Sequence, residues 1–221
     1  MQISGAIFDM DGTLVDSLGF WNVFWSELGA QFAGDSGFRP DPATDRAIRT
    51  LPLREAMHLL HEKTGFGEDG DALWQMADSR CARFYAEEVQ MKPGALEFLT
   101  LLRNRGIPMC IASATAPSLL QIVIEKYRLD AWLPRLFSCS EIGRGKEHPD
   151  IFLLAHAYLG TPKENTWVFE DSPLALETAS AAGFPTVGIF DVNNFDPDRA
   201  RTASLHYIGE GESLMRLAGE I

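Results

Sequence analysis

The chain is short of positive charge. Its 19 Lys and Arg stand against 31 Asp and Glu, a formal net charge of -12, which opposes nonspecific attraction to nucleic-acid phosphates or to anionic lipid. A small diffusible substrate fits better. Cysteine is also scarce: Cys81, Cys110 and Cys139 are widely spaced, odd in number and free of any C-x-x-C pair. That pattern excludes a disulfide framework and reads as reduced thiols. Cys110 lies inside the apolar run Ile107 to Ala112 and Cys139 beside another, so packing rather than catalysis is their reading. No window reaches the ~18 apolar residues of a membrane-spanning helix, and Asp9 interrupts the first apolar stretch, before which no basic n-region stands. Export and membrane insertion are not expected, and the expected location is the cytoplasm. Repeats and low-complexity tracts are absent, and no segment demands a protein partner.

What is present is an ordinary globular balance, 46% hydrophobic and 23% charged, over 221 residues. That length suits one large domain, or one domain with a smaller insertion. Short apolar runs at Ile3 to Phe8, Ile107 to Ala112, Leu136 to Cys139, Trp167 to Phe169 and Thr186 to Phe190 are candidate strands. Helical patterns separate them at Pro93 to Arg105, Pro117 to Tyr127, Asp150 to Leu159 and Pro173 to Ala182. The alternation predicts an α/β fold, a Rossmann-like open parallel sheet covered by helices on both faces, with ligands bound at the carboxyl ends of its strands. Residues 17–89 break the alternation, because Phe20, Trp21, Phe24, Trp25, Leu28 and then Leu53, Met57, Leu60 recur at helical spacing. The expected division is an α/β core of residues 1–16 and 90–221 with an inserted all-α domain at 17–89.

The first strand ends in Asp9, Met10, Asp11, Gly12, Thr13. In extended geometry the two acids share a face. Phosphate monoesters are among the slowest uncatalysed hydrolyses, and splitting the reaction helps. One carboxylate can attack phosphorus while a second protonates the departing oxygen and later deprotonates water. A calcium loop is the wrong pattern, since glycine follows the second acid directly. A turn capped by two acids stays open for the motif taken alone.

Three later stretches supply what a phosphoryl dianion needs: a cation, hydroxyl or amide donors, and a metal. Ser113 ends an apolar run, and Ala114 to Pro117 lead into a helix whose amides, Ala114 among them, would face an anion. Read by itself, Ser113 is also a plausible cap. Lys146 follows Gly143, Arg144, Gly145, but Ser140 and Glu147 stand where a P-loop needs glycine and Ser or Thr. A solvated surface lysine is the bland reading. Glu170 and Asp171 close the run Trp167 to Phe169, and carboxylates at a strand end suit magnesium, or serve a helix dipole.

Taken together and in order, Asp9 with Asp11, Ser113, Lys146 and Glu170 with Asp171 resemble the four motifs of the haloacid dehalogenase superfamily. The match spans the chain and looks like the branch of phosphoglycolate-type phosphatases and β-phosphoglucomutases, with a helical cap inserted after the first motif. The resemblance implies Asp9 as nucleophile, Asp11 as acid/base, and Ser113, Ala114 and Lys146 on phosphate. It also implies Mg2+ held by Asp9, Asp171 and the Asp11 main-chain carbonyl, with Glu170 as a further candidate. Dehalogenases lack a counterpart of Asp11, so a phosphatase for a small phosphorylated metabolite is expected. The alternatives are a β-phosphoglucomutase-type enzyme and a non-catalytic phosphometabolite-binding protein. Trp21 stands where sugar-phosphate mutases show a histidine, and no lysine occurs between Lys63 and Lys92, where they carry one. Both departures favour hydrolysis. Arg54 sits where this branch often has a cap arginine, and Arg54 and Trp21 are the candidates for substrate selection.

Overall fold

The short apolar runs become the strands of a buried parallel sheet. In a computed structural model describing residues 2–49 and 51–221, the elements in chain order begin with β1 (Gly5–Phe8) and β2 (Val15–Asp16). Four helices follow, α1 (Phe20–Phe32), α2 (Pro42–Ile48), α3 (Leu53–Thr64) and α4 (Gly70–Arg83). Next come β3 (Gln90–Met91), α5 (Ala95–Asn104), β4 (Met109–Ser113), α6 (Pro117–Tyr127), β5 (Leu136–Ser138), α7 (Cys139–Ile142) and α8 (Asp150–Leu159). The last are β6 (Thr166–Glu170), α9 (Pro173–Ala181), β7 (Thr186–Ile189), α10 (Pro197–Ala203) and β8 (His206–Ile208).

Six strands form one parallel sheet in the order β5-β4-β1-β6-β7-β8. This is the expected fold class. β1 lies between β4 and β6, with Phe8 opposite Ile111 on one side and Phe169 on the other. The chain winds outward from β1 to β4 and β5, then returns to build β6, β7 and β8 on the opposite side. The carboxyl ends of β1, β4 and β6 therefore meet at the switch point, where α/β sheets bind ligands.

Both faces of β1 are buried. Ile7 packs into a cluster with Cys110, Ile151, Phe152, Val168 and Ala175, under α8 and α9. Phe8, pointing the other way, stacks on Phe169 at 4.4 Å and meets Phe98 of α5 edge-on at 6.4 Å. Strand boundaries shift from the expected ones for local reasons. The run at Ile107 starts late because Gly106 takes a positive φ of 70° and the Ile107 amide closes the end of α5 on Leu102. Pro108 has no N–H, so β4 begins at Met109 and carries Ser113 as its last residue. β5 stops at Ser138, whose hydroxyl accepts from the Ser140 amide to start α7. β8 and the two-residue ribbon β2–β3 had no hydrophobic run long enough to signal them. Cys81, Cys110 and Cys139 are buried and form no disulfide. Among the described residues no helix is long and apolar enough to cross a membrane.

The chain divides into two compact units, Met1–Leu18 with Val89–Ile221, and Gly19–Glu88. The second is helical. Phe20, Phe24, Trp25 and Leu28 of α1 are buried, and the Trp25 indole donates to Asp45, which also accepts from Arg49. Arg80 is gripped by Glu27 and Glu88.

One residue fixes the turn after β1. Gly12 has a φ of 79°, and a Cβ there would lie 2.7 Å from the carboxyl carbon of Asp171. Gly12→Ala is expected to cost about 1–2 kcal/mol for the left-handed backbone, plus displacement of Asp171. Denaturant titration checks this, and an unchanged midpoint would contradict it.

Candidate active site

Asp9 directly follows β1, and its amide donates to the Phe169 carbonyl of β6, which extends the ladder and fixes its Cα over the switch point. Lys146, from the loop that precedes α8, donates from Nζ to both Asp9 Oδ1 and Glu170 Oε1. All three side chains are at most 10% exposed, so this is a buried ion cluster, not a surface pair. Glu170 closes β6, and its other oxygen accepts from the Ser172 amide at 2.8 Å. Asp171 comes next and is equally buried. Its Oδ1 accepts from Thr13 Oγ1 at 3.3 Å, and its Oδ2 accepts from Asn194 Nδ2 at 3.1 Å. The same Asn194 nitrogen donates to the Asp171 carbonyl at 2.7 Å.

Asp11 is held separately. Ser17 Oγ donates to its Oδ1 at 2.7 Å, and Thr115 Oγ1 to its Oδ2 at 2.6 Å. Ser113 is buried at the end of β4, and its oxygen accepts from the Thr115 amide at 3.1 Å. This is a local turn contact rather than the helix cap considered from sequence, since Ala116 holds the N-cap position of α6 without a side-chain bond, and it leaves the hydroxyl hydrogen for another acceptor. Ala114 lies between them in the connection to α6.

The electrostatics follow from burial. Asp9 is pushed up to about 8 by burial, against the pull of Lys146, while the charges of Glu170 and Asp11 add to the rise. Asp171 is raised well above the ordinary carboxylate range by burial and by its acidic neighbours Glu170 and Asp9. Burial alone would lower Lys146, but Asp9 and Glu170 outweigh it and keep the ammonium charged. One oxygen from each of Asp9, Glu170 and Asp171 can be chosen so that all lie within 4.8 Å of one another. Once all three carboxylates ionise, the one ammonium leaves two negative charges uncompensated. An all-oxygen, dianionic cluster of this kind fits a hard divalent cation, so the residues present suit the metal that the sequence implies.

The structure thus gathers Asp9, Lys146, Glu170 and Asp171 into one cluster and places Asp11 and Ser113 on adjoining strand ends. Arg54 and Trp21 belong to the helical unit. Arg54 makes a two-point contact with Asp71, at 2.9 and 3.2 Å, so its guanidinium is already engaged by an anion. Trp21 lies against Phe20, Phe24 and Trp25. Thr13, Ser17, Thr115 and Asn194 carried no expectation. Thr13 and Ser17 sit beside the first acid pair and could have been noticed, whereas nothing local marks Asn194.

Comparison with known proteins covers most of the chain. A model of the haloacid dehalogenase-like hydrolases matches residues 3–183. Hexitol phosphatase A of Escherichia coli is 28% identical over 86% of this chain and 84% of its own. A phosphorylated carbohydrates phosphatase of Thermotoga maritima is 24% identical over 84% of each. Among solved structures, a candidate β-phosphoglucomutase from Thermotoga maritima superposes with a TM-score of 0.80 at 22% identity, covering 99% of this chain and 100% of that one. CbbY from Rhodobacter sphaeroides, solved with phosphate, gives 0.73 at 20% identity over 93% of each.

The raised Asp9 sets a pH dependence. The folded protein keeps this proton up to about pH 8, whereas an unfolded aspartate releases it near 3.8, so between those values the folded state binds more protons. Metal-free protein should lose thermal stability as pH rises through that window and level off above it. Asp9→Asn should flatten the slope, and melting curves from pH 5 to 9 that are parallel for the two proteins would contradict this.

Proposed function

The chain belongs to the haloacid dehalogenase-like hydrolases, and we propose that it is a magnesium-dependent phosphatase acting on a small phosphomonoester, a sugar phosphate or related metabolite. The observation that carries this reading is Asp9 at the switch point, in contact with Lys146 and surrounded by Glu170 and Asp171. Relatives named as hexitol and carbohydrate-phosphate phosphatases support the substrate class.

In the proposed reaction a carboxylate oxygen of Asp9 attacks phosphorus and the ester P–O bond breaks, giving an aspartyl-phosphate and an alkoxide. Asp11 delivers its proton to that alkoxide as it leaves. In the second half Asp11 takes a proton from water, whose oxygen attacks phosphorus, and inorganic phosphate departs as Asp9 is restored. Lys146 and the Ala114 amide neutralise charge on the phosphoryl oxygens, and the Ser113 hydroxyl donates to one of them. Mg2+ would be held by Asp9, Asp171 and the Asp11 carbonyl. It would supply the positive charge that lets a buried anion meet a phosphate dianion. Glu170 is a weaker ligand candidate, because Lys146 and Ser172 already engage its two oxygens.

The helical unit, residues 17–89 by sequence, is assigned the role of cap, with Arg54 and Trp21 as the residues to vary for selectivity. Arg54 would have to exchange Asp71 for a substrate anion. Hydrolysis is preferred over phosphosugar transfer because the histidine and lysine expected of a mutase are absent from their positions.

Purified protein is expected to release phosphate from at least one sugar phosphate in the presence of magnesium. Asp9→Asn should abolish turnover and Lys146→Ala should lower kcat by about 10²–10³-fold. Undiminished release by Asp9→Asn would sink the nucleophile assignment. Asn194→Ala should weaken Mg2+ binding by about 10–100-fold, measured by calorimetry, and an unaltered affinity would show that Asn194 does not orient Asp171.

A further inference from the structure

Asp11 is held on both oxygens by hydroxyls, one from nearby in the chain and one from far along it. Ser17, six residues on, reaches Oδ1, while Thr115, 104 residues on, reaches Oδ2 at 2.6 Å. The Thr115 contact is the shorter and comes from the connection between β4 and α6. Its main chain is fixed at both ends: the amide donates to Ser113 Oγ, and the carbonyl accepts from Ser138 Oγ at 2.8 Å. Ser138 is fully buried at the end of β5 and also contacts the Ser140 hydroxyl. Two neighbouring strands thus clamp the residue that aims a hydroxyl at Asp11. A β-branched side chain adds stiffness at χ1.

This arrangement bears on a problem specific to a general acid. A carboxyl carries its proton on one oxygen, and rotation about its terminal bond exchanges the two. A second donor on Oδ2 fixes the carboxyl plane, and it stabilises the negative charge that appears as the proton leaves, since a hydrogen bond to an ionised acceptor is stronger than one to a neutral acceptor.

We propose that Thr115 is a positioning residue that holds Asp11 in the orientation required for proton transfer to the leaving oxygen. The inference rests on the assignment of Asp11 as acid/base made above. It predicts a dependence on the leaving group. An alkoxide must be protonated to depart, whereas p-nitrophenolate departs without a proton. Loss of the Thr115 hydroxyl should therefore slow the first step for alkyl phosphates and spare it for p-nitrophenyl phosphate.

The test uses the full chain with magnesium, the best alkyl phosphomonoester from the release screen, and the pre-steady-state burst of nitrophenolate, which reads the first step alone. Thr115→Val should lower kcat on the alkyl ester by about 10- to 100-fold, part of the 10²–10⁴-fold that general acid–base catalysis supplies, with KM little changed and the burst rate retained. Thr115→Ser, which keeps the hydroxyl, should restore most of the loss. Asp11→Asn should show the same selectivity more strongly. If Asp11→Asn slows the alkyl ester selectively but Thr115→Val does not, Thr115 has no positioning role. Equal losses on both substrates, a change confined to KM, or failure of Thr115→Ser to recover activity would also overturn the inference. If Asp11→Asn itself lacks the leaving-group dependence, the acid/base assignment is what fails.

Discussion

The contact of Lys146 with Asp9 and Glu170 is the interaction on which the site depends. Each of these groups is buried, and a buried charge without a partner is strongly destabilising. One ammonium is shared by two carboxylates, and Asp171 beside them is raised well above the ordinary carboxylate range by burial and by those same acids. The cluster is therefore short of positive charge by design of its composition. Burial together with that shortage raises Asp9, and the shortage fits the cluster to a divalent cation. The same lysine that makes the fold tolerate Asp9 also lowers the repulsion between Asp9 and an incoming anion.

Around this charge cluster sits a layer of neutral donors. Thr13 and Asn194 hold Asp171, while Ser17 and Thr115 hold Asp11. They come from the turn after β1 (Thr13), the residue after β2 (Ser17), the loop after β7 (Asn194) and the connection after β4 (Thr115), so Asp171 and Asp11 are tied to strand ends from across the unit. Gly12 lets the first of these turns pass close to Asp171, where a side chain would collide. Beyond Asn194, Asp191 accepts from Lys92 at 2.7 Å, a second largely buried ion pair that secures the loop on which Asn194 stands.

Much of this was legible in the sequence, and the parts that were not share a cause. Asp9, Asp11 and Asp171 stood out because acids placed after apolar runs need an explanation, whereas Lys146, in a polar loop, stood out only because the order of the four resembled a known family. The sheet was legible from alternation alone. β8 escaped because three residues at a sheet edge carry no periodicity. Asn194 and Thr115 escaped because a polar residue in a loop is unremarkable until the fold brings it against a carboxylate, as the 104-residue separation of Thr115 from Asp11 illustrates. Arg54 was legible as a charge but not as half of a pair with Asp71 on the neighbouring helix. Propensity reads single elements, and pairings between them appear only after folding.

The central claim is that Asp9 carries the phosphoryl group. The direct measurement is to quench the enzyme during turnover, reduce it with borohydride, which converts an aspartyl-phosphate to homoserine, and map the modified peptide by mass spectrometry. The account predicts homoserine at position 9 and nowhere else, dependent on substrate and magnesium. Turnover with no modification at that position, or modification at another carboxylate, would contradict it.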